Sequence, residues 1–243
     1  MKICILTDIH NNVVALESVL KCAYSENCEK FICAGDIIGI GPYPEETVQR
    51  VMQIPNLIAV RGNHEKYLLE SMPSQYPNNE NMGYEEMEHH RWEHNQLSQN
   101  SISFLQQLPY RIDFYACGKK FSVMHYFMNQ DNQYINYRLS QRKNRLSKLF
   151  PSKGQDIVIF GHDHNRTIYC SDDKWFINSG SLGCPANEKN IARATILEIT
   201  ENGSISIHNI DVQYDVQKVL ADINRLNYPA SQEIKQVFFG VKD

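Results

Sequence analysis

The feature of this sequence that most constrains its fold occurs five times: a short apolar run followed at once by Asp, Asn or His. Each run has the length and composition of a buried strand. The segments that follow the five runs are Asp8-Ile9-His10, Gly35-Asp36, Gly62-Asn63-His64, His125 and Gly161-His162-Asp163-His164. Open α/β sheets bind ligands at the carboxyl ends of their strands, so these polar side chains are expected to converge on one site.

Each of these residues also has an ordinary structural explanation. An Asp, Asn or His after a strand can form a turn, cap a helix or lie hydrogen-bonded in the core. A single occurrence favours that explanation, whereas five occurrences at strand ends favour a shared site. Imidazole and carboxylate groups are suitable ligands for divalent Mn, Fe, Ni or Zn. The pattern therefore predicts a metal centre.

Length and charge narrow the class of protein. The chain has 243 residues, and 24 Lys and Arg against 28 Asp and Glu give a formal charge of −4, which counts against broad nucleic-acid binding. No apolar run approaches the roughly 20 residues of a membrane span. The first residues enter a strand at once, so no signal peptide is expected. None of the seven Cys forms a Cys-x-x-Cys motif, and a reduced, cytoplasmic protein is expected.

The first part of the chain reads as β-α-β-α-β. Asn11 or Asn12 can cap a helix after the first strand, and Pro44 suits the first turn of a second helix that runs to about Met52. Residues 71–83 are rich in Pro, Ser, Asn and Gln, which predicts an irregular loop.

The later part of the chain alternates helices with hairpins. A single helix is predicted over about 84–105. Beyond His164, turn sequences between apolar runs predict two antiparallel hairpins. Two helical segments, over about 212–226 and 231–239, complete the chain.

Two further clusters each allow two interpretations. His90 and His94 have the i, i+4 spacing that can hold a metal, but with His89 they are expected on a solvated helix face. After His125, Tyr126 and a basic segment containing Arg138 and Arg142 can receive phosphates and a ring such as a nucleobase. The alternative for this segment is an ordinary amphipathic helix whose cations face water.

The five segments together resemble the signature of the calcineurin-like metallophosphoesterases in order and approximate spacing. Residues 39–44, 92–97, 104–109 and 178–183 are similar to segments of the small prokaryotic phosphodiesterase-like branch. The resemblance implies an α/β fold, a four-layer α/β/β/α sandwich of two mixed β-sheets flanked by helices. It also implies a single domain over 1–243, with an insertion at about 66–108 and a C-terminal helical segment at about 212–243.

The resemblance implies two divalent metal ions, Mn first, with Fe, Ni or Zn as alternatives. The ligands of one ion would be Asp8, His10, Asp36 and His164. The ligands of the other would be Asp36, Asn63, His125 and His162, with Asp36 bridging. A hydroxide that bridges the ions would attack phosphorus, and His64 would give a proton or hydrogen bond to the leaving oxygen. Asp163 and Asn178 are candidate partners for the second nitrogen of metal-bound histidines.

The expected function is hydrolysis of phosphate esters, most of all phosphodiesters, on a small phosphorylated substrate such as a nucleotide. The alternatives are a dinucleoside-polyphosphate hydrolase, a phosphomonoesterase and a protein-binding scaffold. A retromer subunit that resembles this fold is such a scaffold and lacks the leaving-group histidine, whereas His64 is present here, which favours an enzyme.

Three departures from the family pattern bear on the substrate. Gly39-Ile40-Gly41 stands where phosphoprotein phosphatases carry Asp-Arg-Gly, which argues against a phosphoprotein substrate. Tyr126 stands where Gly is often found, so its ring is expected to narrow or line the cleft. Asp163 replaces the more usual Thr, and its negative charge is expected to alter metal binding.

Overall fold

The structure is a computed structural model that describes residues 1–78, 80, 82–129, 134, 146, 150, 154–185 and 189–241. The strands are β1 (Lys2–Leu6), β2 (Lys30–Cys33), β3 (Leu57–Ala59), β4 (Arg111–Ala116), β5 (Lys119–Met124), β6 (Ile157–Ile159), β7 (Thr167–Ser171), β8 (Lys174–Asn178), β9 (Ile191–Ile199) and β10 (Ile205–Gln213). The helices are α1 (Val13–Ser25), α2 (Pro44–Met52), α3 (Asn63–Glu70), α4 (Tyr84–His94), α5 (Gln99–Gln107), α6 (Val216–Leu226) and α7 (Ser231–Phe239).

One sheet has the strand order β10-β9-β1-β2-β3. Its strands β1, β2 and β3 are parallel, as predicted, and α1 and α2 form the crossovers between them. The Asn12 side chain caps α1 by accepting a hydrogen bond from the Ala15 amide, and α2 begins at Pro44. The hairpin of β9 and β10 pairs antiparallel to β1. The carboxyl ends of β1, β2 and β3 therefore lie at one edge of this sheet.

The second sheet has the strand order β4-β5-β6-β8-β7. Strands β5, β6 and β8 are parallel, and the two edge strands β4 and β7 are antiparallel to their neighbours. The predicted hairpins, of β7 with β8 and of β9 with β10, are confirmed. Strand β4 was not predicted, although its alternation of exposed and half-buried residues is typical of an edge strand.

The core lies mainly between the two sheets and under the helices of the first. In β1, Ile3 and Ile5 pack in the cluster that contains Phe121 of the second sheet, whereas Cys4 and Leu6 pack in the cluster under α1. Because both faces of β1 are buried, its sequence is a continuous apolar run. The expected α/β architecture of two mixed sheets flanked by helices is confirmed.

Two helix boundaries differ from the sequence prediction. The single helix predicted over 84–105 is wrong, because α4 ends at His94 and α5 begins after Ser98, whose hydroxyl accepts a hydrogen bond from the Ser101 amide. The helix predicted from residue 212 begins only at Val216. Residues up to Gln213 belong to β10, where their backbones pair with β9.

The cysteines are unpaired, and the helices are short or polar. All seven cysteines are free, and Cys4 and Cys33 are buried in their strands. Over the described ranges, no helix is both long and apolar enough to cross a membrane.

Candidate metal centre

The residues predicted as metal ligands lie together where strands of both sheets end. Those that follow strands of the first sheet are Asp8, His10, Asp36 and Asn63, and those that follow strands of the second are His125, His162 and His164. The site therefore joins the two sheets at their carboxyl edges, as the rule for open α/β sheets predicts.

Five of these residues have left-handed backbones. The φ angles are 52° at Asp8, 51° at His10, 52° at Asp36, 75° at His162 and 56° at His164. Such angles are uncommon outside glycine and persist where the surrounding structure holds them. Here the Asp8 amide donates to the Gly35 carbonyl at 3.1 Å, and the His10 amide donates to the Asp36 carbonyl at 3.1 Å. The two loops thus fix each other and turn their side chains towards the same point.

One group of donor atoms is formed by Asp8, His10 and His164. Nε2 of His10 lies 2.8 Å from Nε2 of His164, and these nitrogens lie 3.8 Å and 3.7 Å from Oδ1 of Asp8. Oδ2 of Asp36 is 3.9 Å from Nε2 of His10. This arrangement agrees with the first predicted ligand set.

A second group is formed by Asp36, Asn63, His125 and His162. Oδ2 of Asp36 lies 3.1 Å from Nε2 of His125. Oδ1 of Asn63 lies 3.1 Å from that nitrogen and 3.0 Å from Nδ1 of His162. Asp36 shares one group of donor atoms with His10 and His64 and another with His125 and His162, so its carboxylate lies where a bridging ligand would be needed.

The proton positions of two histidines fit cation binding. Nδ1 of His10 lies 3.2 Å from the Ile38 carbonyl, and Nδ1 of His125 lies 2.7 Å from the Ala34 carbonyl. Because a carbonyl can only accept, each Nδ1 donates a proton, and Nε2 is the atom that each ring turns into the site. Nε2 of His10 faces His164 and Nε2 of His125 faces Asp36, positions from which each could ligate a cation. Together with the ligand types, this fits a pair of borderline divalent ions.

Burial and the Asp36 charge dominate the titration of the site. Burial opposes ionisation of Asp36, but His125 and His64 hold the pKa of this carboxyl well below its usual value. Burial lowers the pKa of His162 to about 3 and that of His64 to about 4. Burial also acts to lower the pKa of His125, but Asp36 raises it to about 9. The site therefore holds an ionised Asp36 beside a neutral His162 that is free to ligate.

The His64 ring lies at the edge of this site, where one of its nitrogens forms a possible metal-binding group with His10 and Asp36. Its Nε2 is 3.9 Å from Oδ2 of Asp36, and its ring centroid is 4.9 Å from that of His10. Its backbone amide donates to Oδ1 of Asp36 at 3.1 Å, which fixes the start of α3 against the site. The role of His64 in leaving-group assistance stays a prediction.

Glu65 organises the backbone of the site, a role that the sequence analysis missed. Its fully buried carboxylate accepts hydrogen bonds from the amides of Asp36 at 3.0 Å, Ile37 at 2.8 Å, Ile38 at 3.1 Å and Gly62 at 2.6 Å. Burial and the Asp36 charge raise the pKa of Glu65 to about 7, and the amide hydrogen bonds oppose that shift. Its position at the third residue of α3, after Gly62, is the available sequence signal.

The prediction of a solvated face for the α4 histidines is wrong. His89 and His90 are buried, and Glu93, one turn further along α4, has no exposed surface. Glu93 Oε1 accepts hydrogen bonds from the Gly39 amide and from Asn11 Nδ2, and His89 Nε2 accepts one from the Ile40 amide at 3.1 Å. The backbone amides of the Gly-rich loop need buried acceptors, and α4 supplies them.

Two residues predicted to support or line the site lie elsewhere. Asn178 forms hydrogen bonds with the backbone of Gly161 and Gly180 and not with a histidine. Backbone carbonyls already accept hydrogen bonds from Nδ1 of His10 and Nδ1 of His125. Tyr126 is 2% exposed, with its ring centroid 4.6 Å from that of His162.

The neighbours of Tyr126 define a separate cavity. Tyr126 lines a cavity of about 350 Å³ beside the site together with Phe127 and Phe150. Its hydroxyl is 3.5 Å from Oδ2 of Asp163. Arg138 and Arg142 lie outside the described residues.

A cleft of about 750 Å³ opens over the metal-site residues. Its walls are α4 on one side and α7 on the other, with Tyr84, Ile234, Val237 and Phe238 as apolar lining. Glu85, Glu86 and Glu233 also line it, and the described lining contains no Lys or Arg. The cleft leaves room for an organic group beyond a phosphate at the metal site.

Known proteins share both the sequence pattern and the fold. An uncharacterized protein of Methanocaldococcus jannaschii, MJ0912, is 28% identical over 92% of this chain and 93% of its own length. The crystal structure of a metallophosphoesterase from Sphaerobacter thermophilus has a TM-score of 0.74 at 23% identity, covering 99% of both chains. The hypothetical protein PH1004 from Pyrococcus horikoshii has a TM-score of 0.78 at 17% identity, covering 100% of this chain and 99% of its own.

The pattern of a whole family also matches most of the chain. The calcineurin-like phosphoesterase superfamily domain matches residues 1–202, which include every predicted metal ligand. This chain belongs to the calcineurin-like phosphoesterase superfamily.

Proposed function

We propose that this protein is a dinuclear metal-dependent phosphoesterase that hydrolyses small phosphodiesters. The observation that carries the proposal is the position of Asp36 between two groups of donor atoms, with His64 beside both groups. Asp8, His10, Asp36 and His164 would hold one ion, and Asp36, Asn63, His125 and His162 the other, with Mn as the first candidate. When bound, such ions supply positive charge to the phosphate and activate water as the nucleophile.

The chain itself orients the ligands and assists the leaving group. The carbonyls of Ile38 and Ala34 fix the rings of His10 and His125, so that Nε2 of each ring already faces the site before an ion binds. A neutral His64 can donate a hydrogen bond from one ring nitrogen to the leaving oxygen. Glu65 holds the loops of Asp36 and Asn63 together and thereby sets the distance between the two ligand groups.

The charge of the cleft favours a diester over a polyphosphate. A phosphodiester carries one negative charge, whereas phosphomonoesters and dinucleoside polyphosphates carry more and need further cationic partners. The described lining of the cleft offers acidic and apolar side chains and no Lys or Arg. The apolar residues of α4 and α7 suit the organic group of an ester.

The experiment that tests this proposal is elemental analysis followed by a substrate screen in the presence of Mn²⁺. Bis(p-nitrophenyl) phosphate, p-nitrophenyl phosphate, cyclic nucleotides and dinucleoside polyphosphates cover the alternatives. We expect metal-dependent hydrolysis, with the highest kcat/KM on diesters. Preference for monoesters or polyphosphates would replace the diester assignment. Absence of hydrolysis by the metal-loaded protein would contradict the assignment as an enzyme and favour the alternative of a protein-binding scaffold.

A further inference from the structure

The proposed reaction leaves one cluster of potential metal ligands unused. His90, Glu93 and His94 of α4 offer ligand atoms that all lie within 4.8 Å of one another. Their order, His-x-x-Glu-His, places the two imidazoles one helical turn apart, the spacing that helical zinc sites use. His90 is 1% exposed and Glu93 has no exposed surface.

Two buried nitrogens of this cluster have no hydrogen-bond partner. Within the part of the chain that the structure describes, Nε2 of His90 and Nε2 of His94 are buried and unpaired. Buried polar atoms of native proteins are nearly always paired, so an unpaired atom indicates a missing partner such as a water or an ion. His90 and His94 are one helical turn apart, so a single ion could pair with both nitrogens.

The hydrogen bond between His90 and Glu93 fits a cation as that partner. Nδ1 of His90 lies 3.1 Å from Oε2 of Glu93, so the nitrogen carries the proton and the ring directs its other lone pair away from the carboxylate. A carboxylate that orients a histidine in this way is common around bound metals. A buried Nε2 lone pair can be satisfied only by a donor or a cation.

The buried carboxylate of the cluster also favours a cation nearby. Glu93 has no exposed surface, and Oε2 of its carboxylate lies 3.1 Å from Nδ1 of His90. A carboxylate taken out of water needs donor or positively charged groups around it, and an ion on the other nitrogen of His90 would strengthen that ring as a donor to Glu93.

We propose that His90 and His94, with Glu93 orienting the His90 ring, form a third metal site, distinct from the pair at Asp36, that takes a borderline divalent cation such as Zn²⁺. Imidazole ligands suit that ion. Oε1 of Glu93 accepts hydrogen bonds from the Gly39 amide and Asn11, so Glu93 links this site to the loop that carries Asp36. A bound ion would hold the α4 side of that link in place, which is a structural role. His94 is only partly buried, which leaves a route for the ion.

Metal content measured by mass spectrometry after equilibration with Zn²⁺ tests this proposal. We expect His94→Ala to bind one equivalent less than the wild type, both in the native background and in an Asp36→Asn background. His208→Ala, which replaces an exposed histidine of β10, is the matched control and should bind as much as the wild type. Equal metal content in His94→Ala and the wild type would overturn the proposal. If His94→Ala folds poorly, His94→Gln serves in the same comparison.

Thermal unfolding gives a second readout that does not depend on activity. In the Asp36→Asn background, Zn²⁺ should raise the unfolding temperature, since a ligand that binds only the folded state stabilises it. The rise should disappear when His94→Ala is added. A Zn²⁺-induced rise of the same size in both variants would place the ion elsewhere and contradict the third site.

Discussion

The His64 ring occupies the space directly beside Gly39. A Cβ atom on residue 39 would lie 2.7 Å from Cγ and 2.8 Å from Cε1 of His64, closer than real Cβ contacts. Gly39 also has a φ of 101°, which L side chains rarely adopt. The glycine therefore sets the position of the proposed leaving-group histidine, which gives the Gly39-Ile40-Gly41 sequence a physical role in this chain.

The first prediction concerns Gly39→Ala, which should displace His64 and leave the metal ligands in place. We expect kcat on an alkyl diester to fall on the order of 10²-fold, the lower range of general acid assistance, with wild-type metal content. Gly118→Ala is the control, because Gly118 also has a positive φ, of 71°, but a Cβ atom there would lie 3.9 Å from the Tyr115 hydroxyl, an ordinary contact. Similar kcat values for the two variants would show that Gly39 does not position His64.

The second prediction concerns the chemistry of His64. If His64 assists the leaving oxygen, His64→Gln should retain its metal and lose on the order of 10²–10⁴ in kcat on alkyl or nucleoside esters. The loss should be smaller on p-nitrophenyl esters, whose leaving group hardly needs a proton. The measurement is kcat for both proteins across leaving groups of different pKa, and a loss independent of leaving-group pKa rules out this role.

The third prediction compares the stability contributions of Glu65 and Glu86, which occupy the third positions of α3 and α4. Glu65→Gln replaces one carboxylate oxygen by an amide that cannot accept from the Asp36 and Gly62 amides. We expect the free energy of unfolding to fall by about 2–4 kcal/mol, because buried donors lose their partners. Chemical denaturation measures this loss.

Glu86→Gln is the matched control for that variant. Glu86 is exposed, and its carboxylate accepts one hydrogen bond, from the Gly83 amide at 3.3 Å. We expect a loss of less than about 1 kcal/mol, as for a solvent-exposed cap. Equal losses in the two variants would mean that Glu65 acts only as a helix cap.

The ligands could be predicted from the sequence because each follows its own strand directly. An apolar run and the residue after it are neighbours in the chain, and the parallel topology brings the strand ends together. The role of Glu65 could not be predicted, because its partners at residues 36–38 are close in space and distant in sequence. Local patterns carry no information on such contacts.

The burial of α4 could not be predicted for a related reason. Its histidines and Glu93 read as polar, and polar residues on a helix usually face water. They are buried because the Gly39 and Ile40 amides, some fifty residues earlier, donate hydrogen bonds to Glu93 and His89. The need for acceptors arises in the folded loop and leaves no periodic signal in the sequence.

The most direct test of the central claim is the metal content of Asp36→Asn, measured together with its activity on bis(p-nitrophenyl) phosphate. Asp36 contributes to both donor groups, and a neutral amide is a poor bridge between two cations. The account predicts that the variant loses both ions of the centre and its hydrolytic activity together. Full retention of both ions by Asp36→Asn would contradict the bridging role on which the proposed function rests.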